Sequence, residues 1–160
     1  MGRRKRNRNR PKSEICPYCG SKMIFRPAEY LFMDSVSPGS SKNYYVCSHY
    51  PDCDAYMACD DKFELKGRVA NGWLRHQRLV AHRYIDLITA NRIMQKSAVY
   101  MVIATKLGVS LRNAHIRFSN DGNIEKIIAI LREILDNNNI GYDRNKLERP
   151  LCKRKNLQEE

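Results

Sequence analysis

The sequence lacks any long apolar run, and this absence argues against a membrane-spanning helix. Crossing a bilayer takes about 20 consecutive apolar residues, and no stretch of the 160 residues approaches that length. The N-terminus is highly charged, and no apolar segment follows the charges, so it does not have the pattern of a signal peptide. We therefore expect a cytosolic protein with no membrane partner.

Features that indicate catalysis are also scarce. The acidic residues do not cluster in a metal-binding pattern, and the sequence contains neither a nucleophile motif nor any indication of a small-molecule substrate. The alternatives are a nuclease-like activity, a nucleophilic Cys59 paired with His82 or His115, and a base formed by His82 and Asp86. No sequence feature selects any of these, so we expect a protein that is not an enzyme.

The cysteines are the most informative residues present. Two residues separate Cys16 from Cys19, and five separate Cys47 from Cys53. The turn within the first pair directs both sulfurs to one point, and the second pair can complete a tetrahedron. Four thiolates at about 2.3 Å satisfy Zn²⁺ and leave no coordination position open. The spacing therefore predicts one structural zinc ion, with Cys59 as an alternative to Cys53.

The compartment and a further candidate ligand follow from the same cysteines. Paired spacing without a signal peptide favours metal binding in a reducing compartment over disulfide bonds. His49 lies between the second pair and is a further possible ligand. Its plainer interpretation is a surface histidine in a turn, because four thiols already complete the site.

The charge distribution indicates a polyanionic partner. The formal net charge is +12, and seven Lys or Arg residues fall within the first twelve positions. Such a charge on a small protein most simply indicates nucleic acid. We predict that residues 1–13 form a disordered arm that contacts phosphates through Arg3, Arg4, Lys5 and Arg6. A solubilising tail and a loose association with ribosomes or a membrane surface are the alternatives.

The residue pattern predicts an α+β protein. Strands are expected over 22–26, 43–46 and 55–58, which form a small zinc ribbon within residues 14–60. After a linker at 61–69, the apolar period becomes helical. Three helices are expected in a domain over 70–140: one at about 70–88, one at about 92–107 ended by Gly108, and one that follows Asp121 as N-cap. Residues 141–160 are expected to form a mobile basic tail.

Two groups of residues are candidates for contacting nucleic acid. Tyr45 and Tyr50 flank the second cysteine pair and could stack on unpaired bases, although ribbon aromatics also serve to cover the cysteine knuckles. Arg75, Arg78 and His82 are spaced three and four residues apart, which places them on one helix face. Arginine can bind two phosphate oxygens at once, but an ordinary solvated face with a His82–Asp86 pair fits the same pattern.

The motif Cys-Pro-x-Cys-Gly, followed by a β-like insert and Tyr-x-Val-Cys-Ser-x-Tyr-Pro-x-Cys, resembles the C-terminal zinc ribbons of type IA topoisomerases. The match covers about residues 14–60, and the chain has no room for a topoisomerase cleavage domain. The resemblance implies binding of single-stranded DNA, which is what those ribbons bind.

A second resemblance covers more of the chain. The chain resembles small phage and bacterial zinc-finger-containing proteins at several places. These are the segments 53–56 and 65–71, the residues Arg75, Arg78, His82 and Asp86, and the pairs Leu107-Gly108 and His115-Ile116. This resemblance includes Cys53 and therefore favours it over Cys59 as the fourth ligand. The resemblance also includes Arg75, Arg78 and His82, and it therefore favours the interpretation that these residues contact nucleic acid.

Together these observations predict a zinc-dependent nucleic-acid-binding protein that favours single-stranded DNA or RNA. One alternative is a protein from a phage or mobile element that binds and inhibits or redirects a host protein complex. Another is a factor that associates with ribosomal RNA. Salt dependence separates these hypotheses, because polyanion binding weakens steeply with salt and an apolar protein interface does not.

Overall fold

The computed structural model describes residues 14–33 and 42–150. The chain divides into two compact units, and the boundary lies between Arg75 and His76. We call the described residues up to Arg75 the ribbon unit and those from His76 onward the helical unit. The observed boundary lies beyond the predicted start of the helical domain at residue 70.

The described part of the ribbon unit contains one antiparallel sheet in the order β1–β2–β3. Its strands are β1 (Met23–Pro27), β2 (Asn43–Cys47) and β3 (Tyr56–Cys59). A single helical turn, α1 (Glu29–Phe32), follows β1. Phe25 is opposite Tyr45 in the register, and Tyr45 is opposite Met57. Because side chains alternate along a strand, these three residues share one face of the sheet with Cys47.

Residues 61–69 form part of the ribbon unit, so the prediction that they form a linker was wrong. Leu65 forms a bridge to Cys59, and Ala70 forms a bridge to Tyr56. The Lys66 N–H also donates to the Ala58 carbonyl at 2.9 Å. The segment therefore supplies backbone hydrogen bonds to β3, which would otherwise be an open sheet edge.

The helical unit is built on long helices with apolar faces. Helix α2 (Gly72–Ala90) begins at the end of the ribbon unit and is followed by α3 (Lys96–Leu107), the short α4 (Leu111–Ala114) and a 3₁₀ turn at Ile116–Phe118. Helices α5 (Asp121–Asn137) and α6 (Arg144–Glu148) come last. Helix α3 packs against α4 and α5. The core contains mainly isoleucine and leucine side chains, among them Ile85, Ile88, Ile103, Ile116, Ile124, Ile127, Leu131 and Leu135.

The structure confirms one predicted helix end and shifts two predicted starts. Gly108 ends α3 in the left-handed conformation, with φ of 64°, where glycine carries no steric cost. Helix α3 starts at Lys96 and not near Arg92, because Arg92 has a φ of 56° that no α-helix accepts. Asn120 is the N-cap of α5 and forms a capping box with Asn123, so Asp121 is the first helical residue.

The prediction of a mobile tail from residue 141 was wrong for residues up to 150. Helix α6 is held by Glu148, whose carboxylate accepts from the Tyr84 hydroxyl at 2.7 Å and also from the Arg132 guanidinium. The Arg83 guanidinium donates to the Leu147 carbonyl at 2.7 Å. These contacts are long-range in sequence, so the local composition did not indicate them. Residues 151–160 lie outside the described part.

No helix within the described ranges has both the length and the apolar character needed to cross a membrane.

Candidate metal centre

The four predicted cysteines converge in the ribbon unit. The Sγ atoms of Cys16, Cys19, Cys47 and Cys53 all lie within 4.8 Å of one another. The Sγ atoms of Cys16 and Cys53 are 3.7 Å apart, and those of Cys19 and Cys47 are 3.3 Å apart. A tetrahedron with metal–sulfur bonds of about 2.3 Å has edges of about 3.8 Å. The four sulfurs therefore fit one tetrahedral Zn²⁺ ion.

Local backbone hydrogen bonds shape the first pair into a knuckle. The Cys16 N–H donates to the Ser21 carbonyl at 2.8 Å, and the Gly20 N–H donates to the Cys16 carbonyl at 2.9 Å. Gly20 closes this turn at a φ of +73°, a conformation that side chains with a Cβ disfavour. The turn follows from the Cys-Pro-Tyr-Cys-Gly sequence and directs both sulfurs to the same side.

The second pair comes from the end of β2 and the loop that follows it. Cys47 is the last residue of β2, and its carbonyl accepts from the Tyr50 N–H at 3.0 Å. The Cys53 N–H then donates to the His49 carbonyl at 2.9 Å. This folded loop returns Cys53 to the cluster across the five intervening residues.

The thiols of the cluster have different electrostatic environments. Hydrogen bonds from the Ser21 side chain and backbone lower the pKa of Cys19 to about 6. Burial raises the pKa of Cys47 to about 12, although the His49 N–H donates to its sulfur at 3.4 Å. A cation placed among the four sulfurs would favour the thiolate form of each, because coordination requires deprotonation.

The two alternative ligands lie outside the cluster. Cys59 is buried in the ribbon core, where burial raises its thiol pKa, and it is not among the converging sulfurs. The His49 imidazole lies within 3.3 Å of the Ser21 hydroxyl and is exposed. Its position agrees with the plainer interpretation of a turn histidine.

The prediction that Tyr45 is an exposed stacking residue was wrong. Its side chain is 0% exposed, its ring contacts the edge of Phe25, and its hydroxyl donates to the Phe63 carbonyl at 3.3 Å. Tyr45 precedes Cys47 by two residues, so the strand period directs it toward the same core face as the metal cluster. It supports the cluster and is not a contact for a base.

Tyr50 lies outside the strands and pairs with Tyr30, while a second group of rings surrounds Tyr44, which alternation directs away from Tyr45. Tyr50 packs against Tyr30 at a centroid distance of 6.0 Å, and Phe32 packs against Tyr44 at 5.5 Å and against Tyr56 at 6.0 Å. We call these five rings the aromatic face. Tyr30 is 45% exposed, and the other four rings are partly exposed. The guanidinium of Arg26 lies 5.3 Å from the Tyr30 ring centroid.

Arg75 does not point to solvent as the basic helical face predicts. Its guanidinium forms a salt bridge with Asp54 at 3.0 Å and donates to the carbonyls of Asp54 and Ala70 at 2.7 and 2.6 Å. It also covers the Tyr56 ring at 3.9 Å. Asp54 in turn accepts from the Gly72 N–H at 3.0 Å. Arg75 therefore joins the loop after Cys53 to the start of α2.

Arg78 and His82 are also less exposed than predicted. Arg78 is only 9% exposed, and its guanidinium donates to the Ser119 carbonyl at 2.6 Å. The prediction of a solvent-facing arginine stripe is therefore wrong for Arg78. His82 is partly buried, and this burial, together with Lys96, lowers its pKa. The three residues do not form a continuous basic surface. Arg3, Arg4, Lys5 and Arg6 lie outside the described residues.

Sequence reasoning missed the residues that organise this region. Asp54 and Ser21 were not singled out, although each stands one or two residues from a ligand cysteine. The predicted contacts also did not include Tyr30, Phe32, Tyr44 and Tyr56. The alternation of side chains before Cys47 could have indicated their placement. If Tyr45 faces the cluster, its neighbour Tyr44 must face away from it.

Comparisons with known proteins identify a family but no characterised relative. No curated protein and no solved structure matches the chain significantly. A family model, DUF3268, described as a zinc-finger-containing domain, matches residues 12–134. This range contains the four converging cysteines, the strands β1 to β3, and helices α2 to α4 with most of α5. The chain belongs to this zinc-finger-containing domain family.

Proposed function

We propose that the protein binds single-stranded nucleic acid through the aromatic face of a sheet that one Zn²⁺ ion holds in place. Cys16, Cys19, Cys47 and Cys53 would bind the ion, which would be structural because four thiolates leave no open position. The role of the metal is to order the sheet, since the ribbon unit has little apolar core of its own.

The observation that carries this proposal is the partly exposed cluster of rings. Monomeric proteins tend to bury aromatic side chains, and Tyr30 remains 45% exposed beside the partly exposed Tyr50. Successive bases stack on such rings, at about 1–3 kcal/mol for each base. The Arg26 guanidinium lies over the Tyr30 ring, 5.3 Å from its centroid, and would supply a positive charge for the phosphate of a bound strand.

The charge of the chain supports the same ligand. A net charge of +12 attracts a polyanion, and the N-terminal residues Arg3, Arg4, Lys5 and Arg6 remain proposed phosphate contacts. Arg75 and Arg78 are not proposed as phosphate contacts, because both guanidinium groups form hydrogen bonds within the protein. Tyr45 is likewise replaced by Tyr30 as the partner of Tyr50.

The test compares binding of labelled single-stranded and duplex oligonucleotides, DNA and RNA, by the zinc-loaded full chain. In the double variant Tyr30→Ala/Tyr50→Ala, we expect affinity for single strands to fall by roughly tenfold or more. The slope of affinity against salt should stay nearly constant, because the substitution removes rings and no charge. Fluorescence anisotropy over a salt series measures both quantities.

The matched control is Tyr30→Phe/Tyr50→Phe, which keeps the rings and removes only the hydroxyls. We expect it to bind like the wild type. Equal binding by the alanine and phenylalanine variants, with zinc content unchanged in both, would remove the aromatic face from the interface. A preference for duplex over single strands would contradict the proposal as well.

The proposal assigns the protein a binding role, with no catalytic step. It also places the protein in the cytoplasm, where a reducing environment keeps thiols available for metal. Absence of salt-sensitive binding by a fully zinc-loaded chain would instead direct attention to a protein target or a ribosomal complex.

A further inference from the structure

The middle of the helical unit carries only positive charge. Residues 87–120 contain five Lys or Arg residues and no Asp or Glu. Two of the five, Arg112 and Arg117, are exposed and lie on either side of a tight bend formed by α4 and the 3₁₀ turn. This bend is separate from the aromatic face and belongs to the helical unit.

The two arginines converge on one ring. The guanidinium carbons of Arg112 and Arg117 lie 5.3 and 5.1 Å from the centroid of Phe118. Both distances are within the range of cation–π attraction. Neither guanidinium forms an ion pair with another side chain of residues 14–33 or 42–150. Two like charges thus lie against one ring, and no carboxylate of the described ranges forms an ion pair with either.

The bend that presents these arginines is firmly supported from below. The buried Arg78 donates to the Ser119 carbonyl at 2.6 Å and to its hydroxyl at 3.3 Å. The Ser119 hydroxyl donates in turn to the Ile116 carbonyl at 2.6 Å. On the other side of the turn, the His115 ring packs on Tyr100 at a centroid distance of 4.1 Å. These contacts hold the backbone of the bend that carries Arg112 and Arg117.

From this geometry we propose that Arg112 and Arg117, oriented by Phe118, form a phosphate-binding site for the backbone of a single-stranded nucleic acid. A guanidinium group donates two parallel hydrogen bonds to phosphate, and two such groups can bind one phosphodiester or two successive ones. Pre-orientation on a ring reduces the side-chain entropy that binding would cost. Phe118 positions the arginines and does not itself contact the ligand. The inference rests on the proposed function, because it deepens the description of the same ligand.

The experiment measures binding of a labelled single-stranded oligonucleotide by the zinc-loaded full chain carrying Arg112→Ala/Arg117→Ala. Each lost phosphate contact reduces the slope of log affinity against log salt by about 0.7 for a single strand. We expect the slope to fall by about 0.7 if the two arginines share one phosphate and by about 1.4 if they bind two, and the affinity at low salt to fall roughly tenfold. Circular dichroism verifies that the helical content is unchanged.

The matched control is Lys126→Ala/Lys146→Ala. It removes the same charge from exposed residues of α5 and α6 whose side chains form no hydrogen bond or ion pair with the described residues. We expect it to change the slope by less than half as much. Equal losses in the two double variants would mean that net charge alone matters and would overturn the site.

The remaining outcomes separate the site from the proposed function. Wild-type binding with an unchanged slope in the arginine variant would overturn the phosphate site and leave the aromatic face standing. Lack of binding by the wild type would overturn both. A reduced slope in the arginine variant, beside a reduced affinity at constant slope in Tyr30→Ala/Tyr50→Ala, would support both.

Discussion

The ribbon unit and the helical unit differ in what stabilises each of them internally. Among the buried apolar residues of the ribbon unit, three are the cysteines Cys16, Cys47 and Cys59, while most of those in the helical unit are isoleucine or leucine. A small sheet with so little aliphatic core cannot offset its loss of chain entropy by burial alone. The comparison indicates that a metal ion held by the four cysteines would supply the ordering free energy in the ribbon unit, whereas apolar burial supplies it in the helical unit.

The same difference explains where exposed rings can be maintained. In the ribbon unit the core contains the cysteine cluster and Tyr45, and the five rings of the aromatic face lie outside that core and stay partly exposed. In the helical unit the buried rings, Tyr84 and Tyr100, pack into the core. The ribbon unit therefore keeps a set of partly exposed rings that its core does not use.

The largest expected effect is on the ribbon unit when it loses its metal. Cys16→Ser or Cys47→Ser should release zinc and unfold residues of the ribbon unit, because structural zinc contributes about 10–16 kcal/mol of apparent binding free energy. Hydrogen exchange should show lost protection over residues 14–33 and 42–75 and retained protection in the helical unit. The control Cys59→Ala should keep its metal, since Cys59 lies outside the cluster. Full zinc retention in both serine variants would remove the ligand assignment.

The converse perturbation should affect the helical unit alone. Leu131 of α5 is 0% exposed and lies in the core of the helical unit. Leu131→Ala should lower the free energy of unfolding by about 2–5 kcal/mol, because the substitution leaves a cavity. Chemical denaturation followed by circular dichroism measures this loss, and zinc content measured on the same sample should not change. Loss of zinc from this variant would show that the two units do not fold independently of each other.

A smaller effect is expected at Arg78, which the sequence suggested as a phosphate ligand. Arg78→Met keeps most of the side-chain volume and removes the bonds to the Ser119 carbonyl and hydroxyl. Leaving buried acceptors without a donor costs about 1–3 kcal/mol, so the midpoint of chemical denaturation should fall. A variant as stable as the wild type would show that the arginine is not a structural element and would reopen its role as a ligand.

The smallest effect concerns pH and the attachment of α6. Burial acts to raise the pKa of Glu148, but hydrogen bonds from Tyr84 and Arg132 outweigh it, so the net pKa is lowered. A lowered acid pKa stabilises the folded state above the unfolded value and loses that contribution as pH falls through the folded value.

Stability of the helical unit should therefore decline as the solution is acidified below about pH 4, by on the order of 1 kcal/mol. In Glu148→Gln this part of the decline should be absent. Denaturation midpoints measured from pH 3 to 6 for both proteins provide the check. Parallel curves would show that Glu148 does not control the pH response.

The sequence was sufficient for features with a local physical cause. Cysteine spacing indicated the cluster, although 28 and 37 positions separate the contacting sulfurs, because two closely spaced pairs can complete one tetrahedral site. Gly108 indicated the end of α3 and the helical apolar period indicated α5, because each of these depends on neighbouring residues alone. The α+β order of a small sheet followed by helices was predicted for the same reason.

The features that sequence reasoning missed depend on partners far along the chain. Helical spacing placed Arg75 and Arg78 on a common face but could not show that Asp54 and Ser119 would accept their hydrogen bonds. The attachment of α6 through Glu148 depends on Tyr84, 64 positions away. Tyr45 is an exception: the two-residue period from Cys47 is sufficient to place it in the core, whereas its position beside the second cysteine pair suggested an exposed ring.

The central claim is that a metal-ordered aromatic face binds single-stranded nucleic acid. The most direct measurement is anisotropy of a labelled single-stranded oligonucleotide and its duplex, titrated with the full chain before and after zinc removal, over a salt series. We predict steeply salt-dependent binding that prefers the single strand and loses that preference when zinc is removed, because the sheet unfolds and only basic charge remains. Equal affinity for single strand and duplex in the zinc-loaded protein, or a single-strand preference that survives zinc removal, would contradict the account.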